Sequence, residues 1–176
     1  MSWHRRAPLL GAALLLLLGG CGFHPLYARH SQSGYDAELA SIKVNTIPDR
    51  QGQLLAIALR DGLNPRGARV DTRYTLDVEL SSQRHDIGLR PDGTASRSQI
   101  TMTAKFVLKD AKNADRPTVF QGTTHSVSSF DVLSDNYATV VAQHTAEERT
   151  VQDIGDDILT RLELFVNGHR AAPAGT

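Results

Sequence analysis

Cys21 is the only cysteine in the 176-residue chain, and its neighbours indicate what its thiol is for. Ahead of it, MSWHRRAP carries Arg5 and Arg6 and no acid, and Leu9 to Gly20 is an unbroken run of 12 apolar or glycine residues. A bilayer core takes about 20 residues to span, so this run is too short to cross and has the length of a signal-peptide hydrophobic region. Gly19 and Gly20 place minimal side chains at the two positions before the cysteine. An extended chain with small residues there fits a narrow peptidase pocket. The thiol behind it is a nucleophile able to carry a thioether-linked diacylglycerol. The alternative is a plain secretory signal in which the cysteine is incidental. Acylation would leave no free thiol and no possible disulfide, so packing must hold the exported domain together.

Other reactive groups are scattered. Of seven histidines, His4 leaves with residues 1–20, His24 and His30 precede the first regular element, and His169 lies near the C-terminus. His85, His125 and His144 stand alone, without the i, i+4 pairing of a helical zinc site. No G-x-S-x-G elbow, P-loop or G-x-G-x-x-G is present. Glu147-Glu148 and Asp156-Asp157 fall on a helical stretch, where adjacent carboxylates diverge and do not form an acid/base pair. The chain reads as a non-enzyme without catalytic residue, metal or cofactor.

Guanidinium groups are the remaining candidates. Arg84, Arg90 and Arg97 flank the turn Pro91-Asp92-Gly93, with Lys105 and Lys109 further along the same run. Arginine pairs bidentately with phosphate, so these residues could hold an anionic ligand. They equally fit a charged edge that keeps strands from pairing with other proteins.

These groups need elements to position them. From Cys21 to Thr176 the mature chain has 156 residues, with 17 basic against 19 acidic side chains. That suits one domain with a real core and argues against a nucleic-acid partner, which calls for a basic excess. Residues 21–40 read as a tether. Its Phe23, Leu26 and Tyr27 would dock on a partner or pack under the domain. Ile42 and Val44 alternate with polar neighbours, predicting a strand, and Asp49 is placed to cap a helix whose apolar stripe includes Leu55 and Leu59. Asn64-Pro65-Arg66-Gly67 stops it. Tyr74, Leu76, Val78 and Leu80 alternate with polar residues in the clearest strand, Arg73–Gln83. Ile100, Met102, Ala104, Phe106 and Leu108 do so in Gln99–Lys109, giving a long hairpin. Thr118–Ser129 is a third antiparallel run whose alternation is weak, and Gly122 there signals a bulge or a close approach. Ser134 or Asp135 caps a helix over 135–167 in which Tyr137, Val140, Val141, Val151, Ile154, Ile158, Leu162 and Phe165 recur at spacings of three and four. Its polar middle, Gln143–Thr150, is a possible kink. The expected fold is α+β, β-α-β-β-β-α, with two helices on one face of a mainly antiparallel four-stranded sheet. The domain spans 41–167, and residues 168–176 form a tail.

Leu18-Gly19-Gly20-Cys21 resembles the bacterial lipobox. The residues that follow it, Gly22-Phe23-His24-Pro25-Leu26-Tyr27, together with Leu63-Asn64-Pro65-Arg66-Gly67, the Tyr74–Leu80 strand, Phe106-Val107-Leu108-Lys109-Asp110 and Ser129-Phe130-Asp131 followed by Tyr137-Ala138, resemble the LptE family of lipopolysaccharide-assembly lipoproteins in its alphaproteobacterial form. The resemblance implies the same element order and a protein anchored at Cys21 in the outer membrane, where Gly22 is compatible with sorting. It implies a plug and folding partner for the LptD β-barrel, with the domain on the periplasmic side and in the barrel lumen, and lipopolysaccharide as ligand. The family's basic ligand-binding position falls on Arg90. Its second basic site has no counterpart, since Tyr137 to Gln143 contains no Lys or Arg. The other reading is a periplasm-facing accessory lipoprotein that binds anionic lipid for a different transport system.

Overall fold

The structure, a computed structural model, describes residues 33–171, with side chains from 36 to 169. The expected signal peptide, Cys21, the first part of the expected tether and the end of the expected tail lie outside the described residues. In chain order the elements are α1 (Ser33–Ala40), β1 (Ile42–Val44), α2 (Asp49–Leu63), β2 (Tyr74–Leu89), β3 (Ala95–Asp110), β4 (Thr118–Asp131) and α3 (Asn136–Ala171). From β1 onward this is the expected β-α-β-β-β-α order. The sheet runs β1-β2-β3-β4, with β1 parallel to β2 and the remaining pairs antiparallel. The parallel pair follows from α2, which carries the chain back to the end where β1 began.

α1 occupies the last eight residues of the stretch expected as tether. It has no apolar stripe to announce it, and among its described side chains Leu39 is the one buried apolar group. Two ion pairs hold it: Arg66 to Asp36 at 3.0 Å and Arg73 to Glu38 at 3.3 Å. At its end Ser41 donates from its amide to Ala37 and from its hydroxyl to Glu38.

One face of the sheet is apolar because of the period of two. Leu76, Ile100, Met102, Ala104, Phe106 and Leu108 are fully buried on it, against Leu55 and Leu59 of α2 and Ile154, Ile158, Leu162 and Val166 of α3. The core residues among those described run from Leu39 to Val166. In β4 the inward positions include Gly122, Thr124 and Ser128, which is why its alternation is weak. A Cβ on Gly122 would stand 2.6 Å from Cζ of Phe106. The ring takes the space that a side chain would fill, so the glycine marks a close approach.

The caps divide. Asp135 accepts hydrogen bonds from the amides of Tyr137 and Ala138, as an N-cap should. Asp49 does not cap α2. Pro48 holds the cap position without a side-chain bond, and Asp49 sits at a positive φ of 67°. The polar middle of α3 does not interrupt the helix. Ala146 and Thr150 are buried there, and the Thr150 hydroxyl bonds back to the Ala146 carbonyl at 2.7 Å. Glu147 accepts from Gln51 of α2 and from Gln143 one turn earlier.

β2 and β3 each run 16 residues, longer than the alternation alone marks out. At about 3.3 Å per residue the hairpin is about 53 Å long. β1 covers only Tyr74 to Leu76 of it.

Candidate functional site

The hairpin tip is where the arginines were expected, and the fold assigns them different tasks. Pro91-Asp92-Gly93 forms the turn: Gly93 has φ of 80° and its amide donates to Arg90, while the Arg90 amide donates to Thr94. The Asp92 carboxylate accepts from the Thr94 hydroxyl and amide, which holds its pKa below the ordinary carboxylate range.

Arg90 does not extend past the turn. Its guanidinium folds back, donating to the carbonyl of Ala95 at 2.7 Å and to the carbonyl of Val132 in the loop after β4. The Val132 amide donates to Ser96, and Leu133 bonds Thr139 in the first turns of α3. Turn, loop and helix start are thereby tied into one unit.

Arg84 is a clasp between β2 and α3. It donates to Gln143 at 2.9 Å and to Ser98 at 3.1 Å, with its guanidinium carbon 5.0 Å from the ring centre of Phe130. Asp86 lies 3.8 Å from its Nε and accepts from the fully buried Ser98 hydroxyl. Arg97 stands opposite Asp131 on β4 in a loose, exposed pair at 3.8 Å. All three arginines therefore sit in the distal part of the hairpin, but on separate partners and without converging on one anion. Further down, Lys109 pairs with Asp77 at 2.8 Å. Lys105 faces Glu79 across the strands.

What the sequence reading missed is apolar. Tyr137, Val140 and Val141 share a helical face, and their spacing assigned them to the core. In the structure they are exposed, Tyr137 at 78%, as are Leu133, Ile87 and Leu89, the last at 71%. The hairpin and α3 both outrun the packed part of the core here. The signal available was Arg84-His85-Asp86, which breaks the apolar alternation of β2 before the tip.

The four histidines among the described residues lie apart. His85 and His125 are exposed, His144 lies 3.7 Å from Glu147, and the His169 ring packs on Phe165. Among the described residues no cluster of His, Cys, Asp and Glu could hold a metal ion.

The two-layer α+β fold is shared with bacterial lipoproteins. A lipoprotein from Caulobacter crescentus superposes with a TM-score of 0.62 at 30% identity, covering 77% of this chain and 98% of that one. Rare lipoprotein B from Shewanella oneidensis and a minor lipoprotein from Acinetobacter baumannii share the fold, each with a TM-score of 0.51, at 12% and 13% identity, and cover 69% and 71% of this chain and 92% of their own. A comparison with curated proteins returns no match. The family model described as LptE, lipopolysaccharide-assembly, matches residues 39–162, nearly the whole described domain. The chain belongs to the LptE lipopolysaccharide-assembly family.

Proposed function

We propose that this chain is an outer-membrane lipoprotein, acylated at Cys21, that plugs and helps fold the LptD barrel and binds lipopolysaccharide with its hairpin tip. The family match across residues 39–162 carries the reading. Two features of the tip support it. Exposed Ile87, Leu89, Leu133, Tyr137, Val140 and Val141 offer apolar contact to acyl chains. Arg97, whose pair with Asp131 is loose and exposed, offers a guanidinium beside them, while Arg84 and Arg90, engaged with protein partners, hold the surface in shape. An amphiphile needs both kinds of contact, and a solvated protective edge needs only the charge.

No catalytic step is required. A lipid passes along a barrel when each contact is favourable enough to hold it and weak enough to release it. The Arg90 clasp presents the apolar side chains of loop and helix as one surface, which lowers the ordering cost of binding.

The test is affinity purification of the tagged chain from membranes. The reading expects a β-barrel in stoichiometric amount, retained in mild detergent. Recovery of the chain alone, with a normal fold and free anionic lipid bound, would favour the accessory-lipoprotein reading instead.

A further inference from the structure

The end of the domain opposite the hairpin tip carries a second charged feature. Two open grooves of about 420 and 510 Å³ share Arg69, Val70 and Asp71 as lining. Lys43, Arg73, Lys112 and Glu38 complete their charged walls. Glu38 is taken by Arg73 at 3.3 Å. Lys43, Arg69 and Lys112 are exposed and have no ion-pair partner among the described residues, which leaves three free cations facing one acid, Asp71. On a chain whose net charge is near zero, this is a local positive surface.

Its place in the fold indicates what it meets. The chain enters the domain at Ser33, and α1 itself contributes Ala37 and Glu38 to the lining. Only 11 residues separate Cys21 from Ser33. At about 3.3–3.6 Å per residue, a lipid on Cys21 keeps this end within about 40 Å of the membrane surface. The tip lies a hairpin length from this end of the domain.

We propose that the surface of these two adjoining grooves, with Lys43, Arg69, Arg73 and Lys112, docks on headgroups of anionic phospholipid in the leaflet that holds the anchor. The proposal builds on acylation of Cys21, and it adds a second, electrostatic attachment that fixes the domain's orientation. One lipid anchor leaves orientation free; a cationic groove beside the entry point directs the opposite, ligand-bearing end away from the surface. Each basic side chain at an anionic membrane strengthens binding about fivefold.

The test uses the mature chain, residues 21–176, with Cys21→Ser, so that no acyl group contributes. Vesicles of phosphatidylcholine alone are compared with vesicles containing phosphatidylglycerol by co-sedimentation at low salt. The expected result is binding to the second kind only. Arg69→Ala/Lys112→Ala should weaken it roughly thirtyfold. Arg50→Ala/Arg149→Ala, an equal charge loss at exposed positions that line neither groove, should leave it within a few fold. Equal binding to both vesicles, or equal loss in both double variants, overturns the proposal. Displacement by free glycerol phosphate at concentrations comparable to the lipid would show a soluble phosphate site and also overturn it. Acylation of Cys21 is read separately, by fatty-acid labelling of the wild-type chain in cells, so the two failures cannot be confused.

Discussion

Arg90 and Val132 are 42 residues apart in the chain, and the guanidinium of the first donates to the carbonyl of the second. That bond joins the hairpin turn to the loop entering α3. Arg90→Ala should cost about 1 kcal/mol of global stability, since the site is only part-buried. Its local effect should be larger. Amide exchange at Val132, whose proton goes to Ser96, should accelerate while the core amides stay protected. Arg90→Lys should behave like the alanine variant, because an ammonium lacks the fork that reaches two carbonyls. Unchanged exchange at Val132 in both variants would show that the clasp does not hold the loop.

Gly122 and Phe106 make a paired prediction. Gly122→Ala drives a methyl group into the ring and should destabilise by about 1–3 kcal/mol. Phe106→Ala empties the centre of the core and should cost about 3–5 kcal/mol. The double variant should cost less than the sum, because the alanine at 122 enters space that the ring has left. Denaturant midpoints of the four proteins decide it. Strict additivity would mean that the two residues do not share that space.

Asp77 sets an acid dependence. Hydrogen bonds from Lys109 and then from Asn45 hold its pKa below the ordinary value of 3.8, outweighing the opposing effect of burial. A depressed folded-state pKa contributes stability that is present above 3.8 and is lost as pH falls through the lower folded value. Asp77→Asn should therefore be less stable than wild type near neutrality, and the gap should close in acid. Because both partners are well exposed, solvent screening keeps the gap below about 1 kcal/mol. A gap that stays constant from neutral pH to strong acid would remove Asp77 from the account.

Much of this architecture was legible in the residues, and the places where it was not have physical causes. Tyr74, Leu76, Ile100, Met102, Phe106 and Leu108 alternate cleanly because one sheet face is dry and the other wet. Ile154, Ile158 and Leu162 keep helical spacing for the same reason. Spacing names a shared face but does not say whether anything covers it, so Tyr137, Val140 and Val141 were assigned to the core although they are exposed. α1 gave no periodic signal: among its described side chains only Leu39 is a buried apolar group, and its ion-pair partners Arg66 and Arg73 are distant in sequence. At the candidate site the arginine positions were readable, but their partners were not. Gln143, Ser98 and Val132 reach Arg84 and Arg90 only through the tertiary fold.

Cys21→Ala should abolish labelling by fatty acid and leave a longer, unprocessed chain. Fractionation in cells depleted of the barrel separates the anchor from retention by a partner. Loss of the variant from the outer-membrane fraction is the expected outcome there, and outer-membrane recovery equal to wild type would refute the lipobox reading.

The central claim, that this chain serves lipopolysaccharide assembly through a barrel partner, is tested most directly by depleting it in its own cells and measuring lipopolysaccharide accessible on intact cells. The account predicts that surface lipopolysaccharide falls together with the amount of folded LptD barrel, and that the wild-type chain restores both. Unchanged surface lipopolysaccharide and unchanged folded barrel after full depletion would contradict it.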